Sequence, residues 1–174
     1  MAARLPELSH IDMERVAVGF SQTRKTSAYG MYASLTPLRF AGGEKYTVRR
    51  GRKWGVQSLR GPDGREMLYV LTFYLPRFLN MAFREKLTTI VHELWHVGPA
   101  FDGDLRRFGG RCFAHGGSQK QFDAHVTKLL DHWLRRSPPA SLTEFLQFDF
   151  ASLVDCHGRV FGHKIRPLKL IPME

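Results

Sequence analysis

An α+β fold is what this sequence predicts, on three observations. The first half alternates short β-branched and aromatic runs with glycine-bearing turns. The second half holds two segments whose apolar residues recur at helical spacing, and the strongest strand runs almost directly into the first of them. With 174 residues, 43% hydrophobic and 24% charged, the composition is that of one globular domain long enough to bury a core. The expected organisation of the single domain 1–174 is a β-rich part over 1–75, a helix over about 83–97, a second helix over about 118–136 and an extension over 140–174. A small antiparallel or mixed sheet should pack on the two helices.

Strands are expected at 15–20, 29–40 and 45–59, punctuated by Gly42-Gly43 and by the Gly-Pro-Asp-Gly turn at 61–64. The run 67–75, Met-Leu-Tyr-Val-Leu-Thr-Phe-Tyr-Leu, is nearly continuous in apolar character and is stopped by Pro76. From Phe83 onward, Phe83, Leu87, Ile90, Val91 and Leu94 step by three or four, with Glu85, Thr89, His92 and His96 on the polar side. Gly98-Pro99 should end this helix, glycine by permitting the C-terminal turn and proline by being unable to continue the ladder. A polar connection with Gly103, Gly109 and Gly110 follows. The second helix is marked by Ser118 as N-cap with Gln121 three residues on, by a stripe of Phe122, Val126, Leu129 and Trp133, and by Arg135-Arg136 complementing the helix dipole. Pro138-Pro139 closes it. The tail over 142–174 reads as a short helix or loop and then a strand, too short to stand alone and therefore packed on the core.

His92-Glu93-Leu94-Trp95-His96 carries the chemistry. On a helix, positions i and i+4 share a face, so both imidazoles can reach one metal ion while Glu93 leans toward a water on that ion, the minimal apparatus of a zinc hydrolase. The plainer alternative is a helix whose His and Glu are ordinary polar-face residues. Catalytic zinc takes three protein ligands and keeps one open position, and three downstream residues compete for the third place. Asp102 lies six residues beyond His96, where the extended HExxHxxGxxH/D pattern has its last ligand, but that pattern needs glycine at Pro99 and the available Gly98 is one place early. His115, in Ala114-His115-Gly116-Gly117-Ser118, is anchored by the capped helix that follows. His125 lies near the apolar stripe of that helix, where a packing role competes with a ligand role. Asp102 and Asp104 are the carboxylates available to orient the outer nitrogens of His92 or His96, against plain solvation of the loop that carries them. Arg111 and His125 stand near in sequence as donors to a developing oxyanion, against plain solvation of Arg111. Trp95 should pack beside the site or in the core.

The order of strand, HExxH helix, loop, His115-Gly116 and then Phe122 within a second helix resembles the SprT-like and related small zincin peptidases, phage-type metallopeptidases among them. The resemblance covers about 67–133. It implies a zincin-like fold, one catalytic Zn2+ on His92, His96 and His115, Glu93 as general base, and a protein or peptide substrate.

The net charge of +10 makes the surface an attractor of polyanions. Lys45, Arg49, Arg50, Arg52, Lys53, Arg60 and Arg65 are concentrated over 45–65, interleaved with Tyr46 and Trp54. Arg49, Arg50, Arg52 and Lys53 are accordingly candidate nucleic-acid contacts, against the reading of a solvated hairpin that serves solubility. A nucleic-acid-binding protein with a structural metal or none, or a peptidase acting on DNA-associated proteins, is the competing functional class. The first fourteen residues hold no apolar run of signal or membrane-span length, so a cytoplasmic location without a transmembrane segment is expected. Two cysteines, Cys112 and Cys156, form no CxxC pair and are expected to be buried free thiols.

Overall fold

The computed structural model of the chain describes residues 1–23, 30–109 and 115–173. Six strands and three α-helices are found among them: β1 Val16–Gln22, β2 Ala33–Pro37, β3 Tyr46–Arg49, β4 Arg52–Val56, β5 Tyr69–Leu75, α1 Phe83–Trp95, α2 Gln119–Arg135, α3 Phe150–His157 and β6 Leu170–Pro172. The class is α+β. The strands form two three-stranded sheets, one ordered β1-β5-β2 and one ordered β3-β4-β6. In the first, β1 runs parallel and β2 antiparallel to β5. The second is antiparallel throughout.

Several expected elements change their limits for identifiable reasons. The expected strand at 29–40 is confined to Ala33–Pro37, with 29 lying outside the described residues. The run 45–59 is cut into β3 and β4 by a turn at Arg50 and Gly51, with φ of 51° and 74°. Positive φ at both central residues is what a two-residue hairpin needs to match the strand twist, and glycine takes the second position without strain. The first helix ends at Trp95, two residues earlier than expected, where His96 N–H and Val97 N–H bond the carbonyls of Glu93 and Leu94 and tighten the last turn.

β5 lies between two strands and two layers, which explains its unbroken apolar run. Its odd-numbered residues Tyr69, Leu71, Phe73 and Leu75 join Leu87, Val91 and Leu94 of α1 and Phe122, Val126 and Leu129 of α2 in the main core. On its opposite face Val70 packs with Leu38 and Met67 in a second cluster, against which Ile165 and Leu168 of the tail are laid. The tail also pairs with β1 through Phe20 N–H donating to His163 O at 2.8 Å. The extension 140–174 therefore wraps the domain, and its last strand, β6, closes the second sheet.

One buried cation ties that extension to α1. Lys86 is only 1% exposed, and its ammonium donates to the carbonyls of Leu146 at 2.8 Å and Phe148 at 2.7 Å. Burial lowers its pKa, with Asp149 opposing the shift. Lys86→Met keeps the stem and strands two carbonyls, so it should cost about 2–3 kcal/mol of stability, read as a lower urea midpoint. Cys156 is exposed, contrary to the expectation of a buried thiol, because it falls near the end of the short helix α3, whose one buried residue is Leu153. Cys112 lies outside the described residues. No helix among the described residues is long and apolar enough to cross a membrane.

Candidate metal centre

The frame of the site is built by α1 and the chain that folds back on its end. Arg106 N–H donates to His96 O at 2.7 Å and Arg106 Nε to Trp95 O at 2.9 Å, capping carbonyls that the last turn of a helix leaves unpaired. The same guanidinium lies 3.8 Å over the Trp95 ring. Gly98 N–H donates to Asp104 O, and a Cβ on Gly98 would stand 2.7 Å from that oxygen. Gly98 is thus required for close approach of two backbones. The buried Tyr69 hydroxyl completes the loop, donating to Asp104 O at 2.7 Å and accepting from Gly103 N–H at 3.1 Å.

His115 enters from the segment before α2, whose start is fixed by Ser118 Oγ accepting from Gln121 N–H. The Nε2 atoms of His92 and His96 stand 3.1 Å apart, and those of His115 and His96 3.2 Å apart. The potential ligand atoms of the three residues all lie within 4.8 Å of one another. An imidazole nitrogen carries either one hydrogen or one lone pair in its plane, so His96 Nε2 cannot make a well-formed hydrogen bond to both neighbours at once. Three lone pairs converging on a cation remove the conflict. Ligands about 2.0–2.1 Å from a tetrahedral zinc stand roughly 3.3 Å apart, close to the spacings of His96 from its two neighbours.

Phe122 is the shared wall of the cluster. Its ring is 4.9 Å from His92, 4.6 Å from His115 and 5.3 Å from His96, on which it stacks. Burial lowers the pKa of His92 and, together with the neighbouring His92, His115 and Arg106, brings that of His96 to about 3. Both imidazoles are therefore neutral at pH 7, the form that binds a metal. His96 Nδ1 is buried and has no hydrogen-bond partner among the described residues.

Glu93 is 8% exposed on the same helix. Burial raises its pKa to about 7, with a hydrogen bond from the backbone of Leu35 working the other way. That contact has a topological origin. Leu38 N–H donates to Leu68 O and Tyr74 N–H to Tyr32 O, so even-numbered residues in this part of the chain bond to β5. By the antiparallel alternation the peptide groups of Ala33 and Leu35 point away from β5, along an edge that bears no further strand among the described residues. Glu93 meets that edge.

The other expected site residues lie elsewhere. Asp102 does not join the histidines: its carboxylate accepts from Asp104 N–H at 3.0 Å and lies against Gly43. Asp104 does not orient an imidazole either. It accepts from Gly42 N–H and Leu105 N–H and holds Arg107 through two 2.8 Å contacts, pinning the loop to the 41–43 turn. His125 packs on Trp95 at 4.4 Å, and its Nε2 is buried without a partner among the described residues. Trp95 itself is half-buried against the core. Arg111 lies outside the described residues. Arg49, Arg52 and Lys53 lie on the second sheet and Arg50 at its β3-β4 turn. Sequence reading missed Arg106, which looks like any loop cation, and Leu35, whose contribution is a peptide N–H that no side-chain pattern can signal.

Comparison with protein-family models, with curated proteins and with solved structures yields no match.

Proposed function

We propose that the chain is a zinc-dependent peptidase with zincin-like packing, in which His92, His96 and His115 hold the ion and Glu93 is the general base. The observation that carries this reading is the pairing of three convergent imidazole nitrogens with a buried carboxyl whose pKa lies near neutrality. A purely structural ion has no use for such a carboxyl. Zinc, when bound by three neutral imidazoles, supplies a Lewis acid and brings the pKa of water toward 7.

With a pKa of about 7, Glu93 can accept a proton from the attacking water and later release it to the leaving amine nitrogen. The new bond is carbon to water oxygen, the broken bond is the amide C–N, and the proton taken at Glu93 ends on the amine. Burial excludes competing water from the carboxylate. The outward peptide groups of Ala33 and the C=O of Leu35 offer an extended chain a strand to pair with, beside Glu93. That supports an extended peptide, paired along β2, as substrate.

The reading is tested by metal removal. The chain stripped with a chelator should stop cleaving an unfolded protein, and about one equivalent of Zn2+ per chain should restore cleavage. Cleavage that survives stripping, or a zinc-replete chain that cleaves no unfolded protein, overturns it.

A further inference from the structure

The second sheet takes no part in the histidine cluster, and its two sides differ. Along β4, Arg52, Trp54 and Val56 alternate onto one side while Lys53 and Gly55 take the other. Val56 is packed on the Leu38, Met67 and Val70 cluster, which anchors that end of the strand. From there the same side runs outward through Trp54 to Arg52, with Arg49 directly opposite Arg52 on β3 and Leu170 of β6 opposite Val56. Arg49, Arg50, Arg52, Trp54 and Leu170 line a hollow of about 670 Å³. Arg50 sits at the hairpin turn with φ 51°.

Lys53, grouped with the three arginines in the sequence, faces the opposite side, where its ammonium lies 4.6 Å over Tyr46. None of the ion pairs among the described residues involves Arg49, Arg50 or Arg52. Three guanidiniums that have no acidic partner among the described residues thus lie around one half-buried indole. The C-terminal strand that completes this surface arrives with Lys169, whose carbonyl accepts from Gln57 N–H.

We infer that this side of the β3-β4-β6 sheet binds single-stranded nucleic acid, with Trp54 as a stacking platform for a base and Arg49, Arg50 and Arg52 as phosphate contacts. Charge selects a polyanion, and the ring among the charges selects one that carries flat faces. Bases in a duplex have their faces already stacked, whereas unpaired bases can lie on an indole. An acidic protein would use the charges and leave Trp54 idle, and an anionic membrane takes up an indole that projects into its headgroup layer rather than one half-buried in a hollow lined by arginines.

The test uses the full chain with a fluorescein-labelled oligothymidylate, titrated by anisotropy at several salt concentrations. The wild-type chain should bind it more tightly than a duplex of equal length. Replacing Arg49 and Arg52 together by Gln should flatten the slope of log K against log salt by about 1.4, at roughly 0.7 per phosphate contact on a single strand. Trp54→Ala should weaken binding about tenfold at fixed salt with the slope retained, and Trp54→Phe should retain most of the affinity. Thermal unfolding and zinc stoichiometry of each variant should match the wild type. If Trp54→Ala does not fold, Trp54→Phe against Trp54→Leu gives the same comparison of ring with aliphatic side chain. No binding at low salt, equal binding to duplex or to polyglutamate, or affinity indifferent to loss of the ring overturns the inference. Because the readout is binding, its failure leaves the peptidase reading untouched, and the reverse holds equally.

Discussion

Glu93→Gln should keep zinc and lose peptide-bond cleavage by about 10²–10⁴-fold, the range typical for removal of a general acid–base group. The substitution is nearly isosteric, so an amide oxygen can still accept the hydrogen bond from the backbone of Leu35. What the amide cannot do is take a proton from water. The loss should fall on kcat with KM little changed, because the missing interaction belongs to the transition state. Zinc content measured on the same preparation separates this outcome from a damaged metal site. A variant that cleaves at the wild-type rate would remove Glu93 from the mechanism.

His115→Ala should abolish tight zinc binding while Asp102→Ala leaves it intact. Removing His115 takes away one of three converging nitrogens and leaves His92 and His96 with a two-ligand site, which should lower affinity by at least about 100-fold, since even partners of ligands are worth 10–100-fold. Asp102 instead accepts from Asp104 N–H, and its loss should loosen only the loop that caps α1. Competition against a chromophoric chelator measures both variants. Wild-type affinity in His115→Ala, or loss of zinc in Asp102→Ala, would reassign the third ligand.

Much of the site and part of the fold were legible in the chain. The spacing of His92 and His96 on an amphipathic helix, the capped start of α2 and the β5 run depend on local periodicity, which a linear string records directly. The limits of α1 were harder, because Arg106 and the Gly98–Asp104 contact that organise its end come from a loop whose residues show no pattern. The roles of Asp102 and Asp104 stayed open for the same reason. Carboxylates near a metal motif in sequence look available to it, yet Gly42, Leu105 and Arg107 claim Asp104 and the backbone claims Asp102. Nothing in the helical pattern marks Lys86, whose partners, the carbonyls of Leu146 and Phe148, come from the distant extension.

The sequence by itself determined the α+β class, the helix that presents two imidazoles and a carboxylate, and the concentration of positive charge over 45–65. Tertiary structure alone decided which distant residues meet these groups. It brought His115 to within 3.2 Å of His96, set Phe122 against all three rings and buried Glu93 beside the edge of β2. The physical reason is the range of the forces. Helical and strand periodicity are set between near neighbours in the chain, whereas desolvation of a carboxyl or convergence of ligands depends on surfaces that approach only after the core has packed.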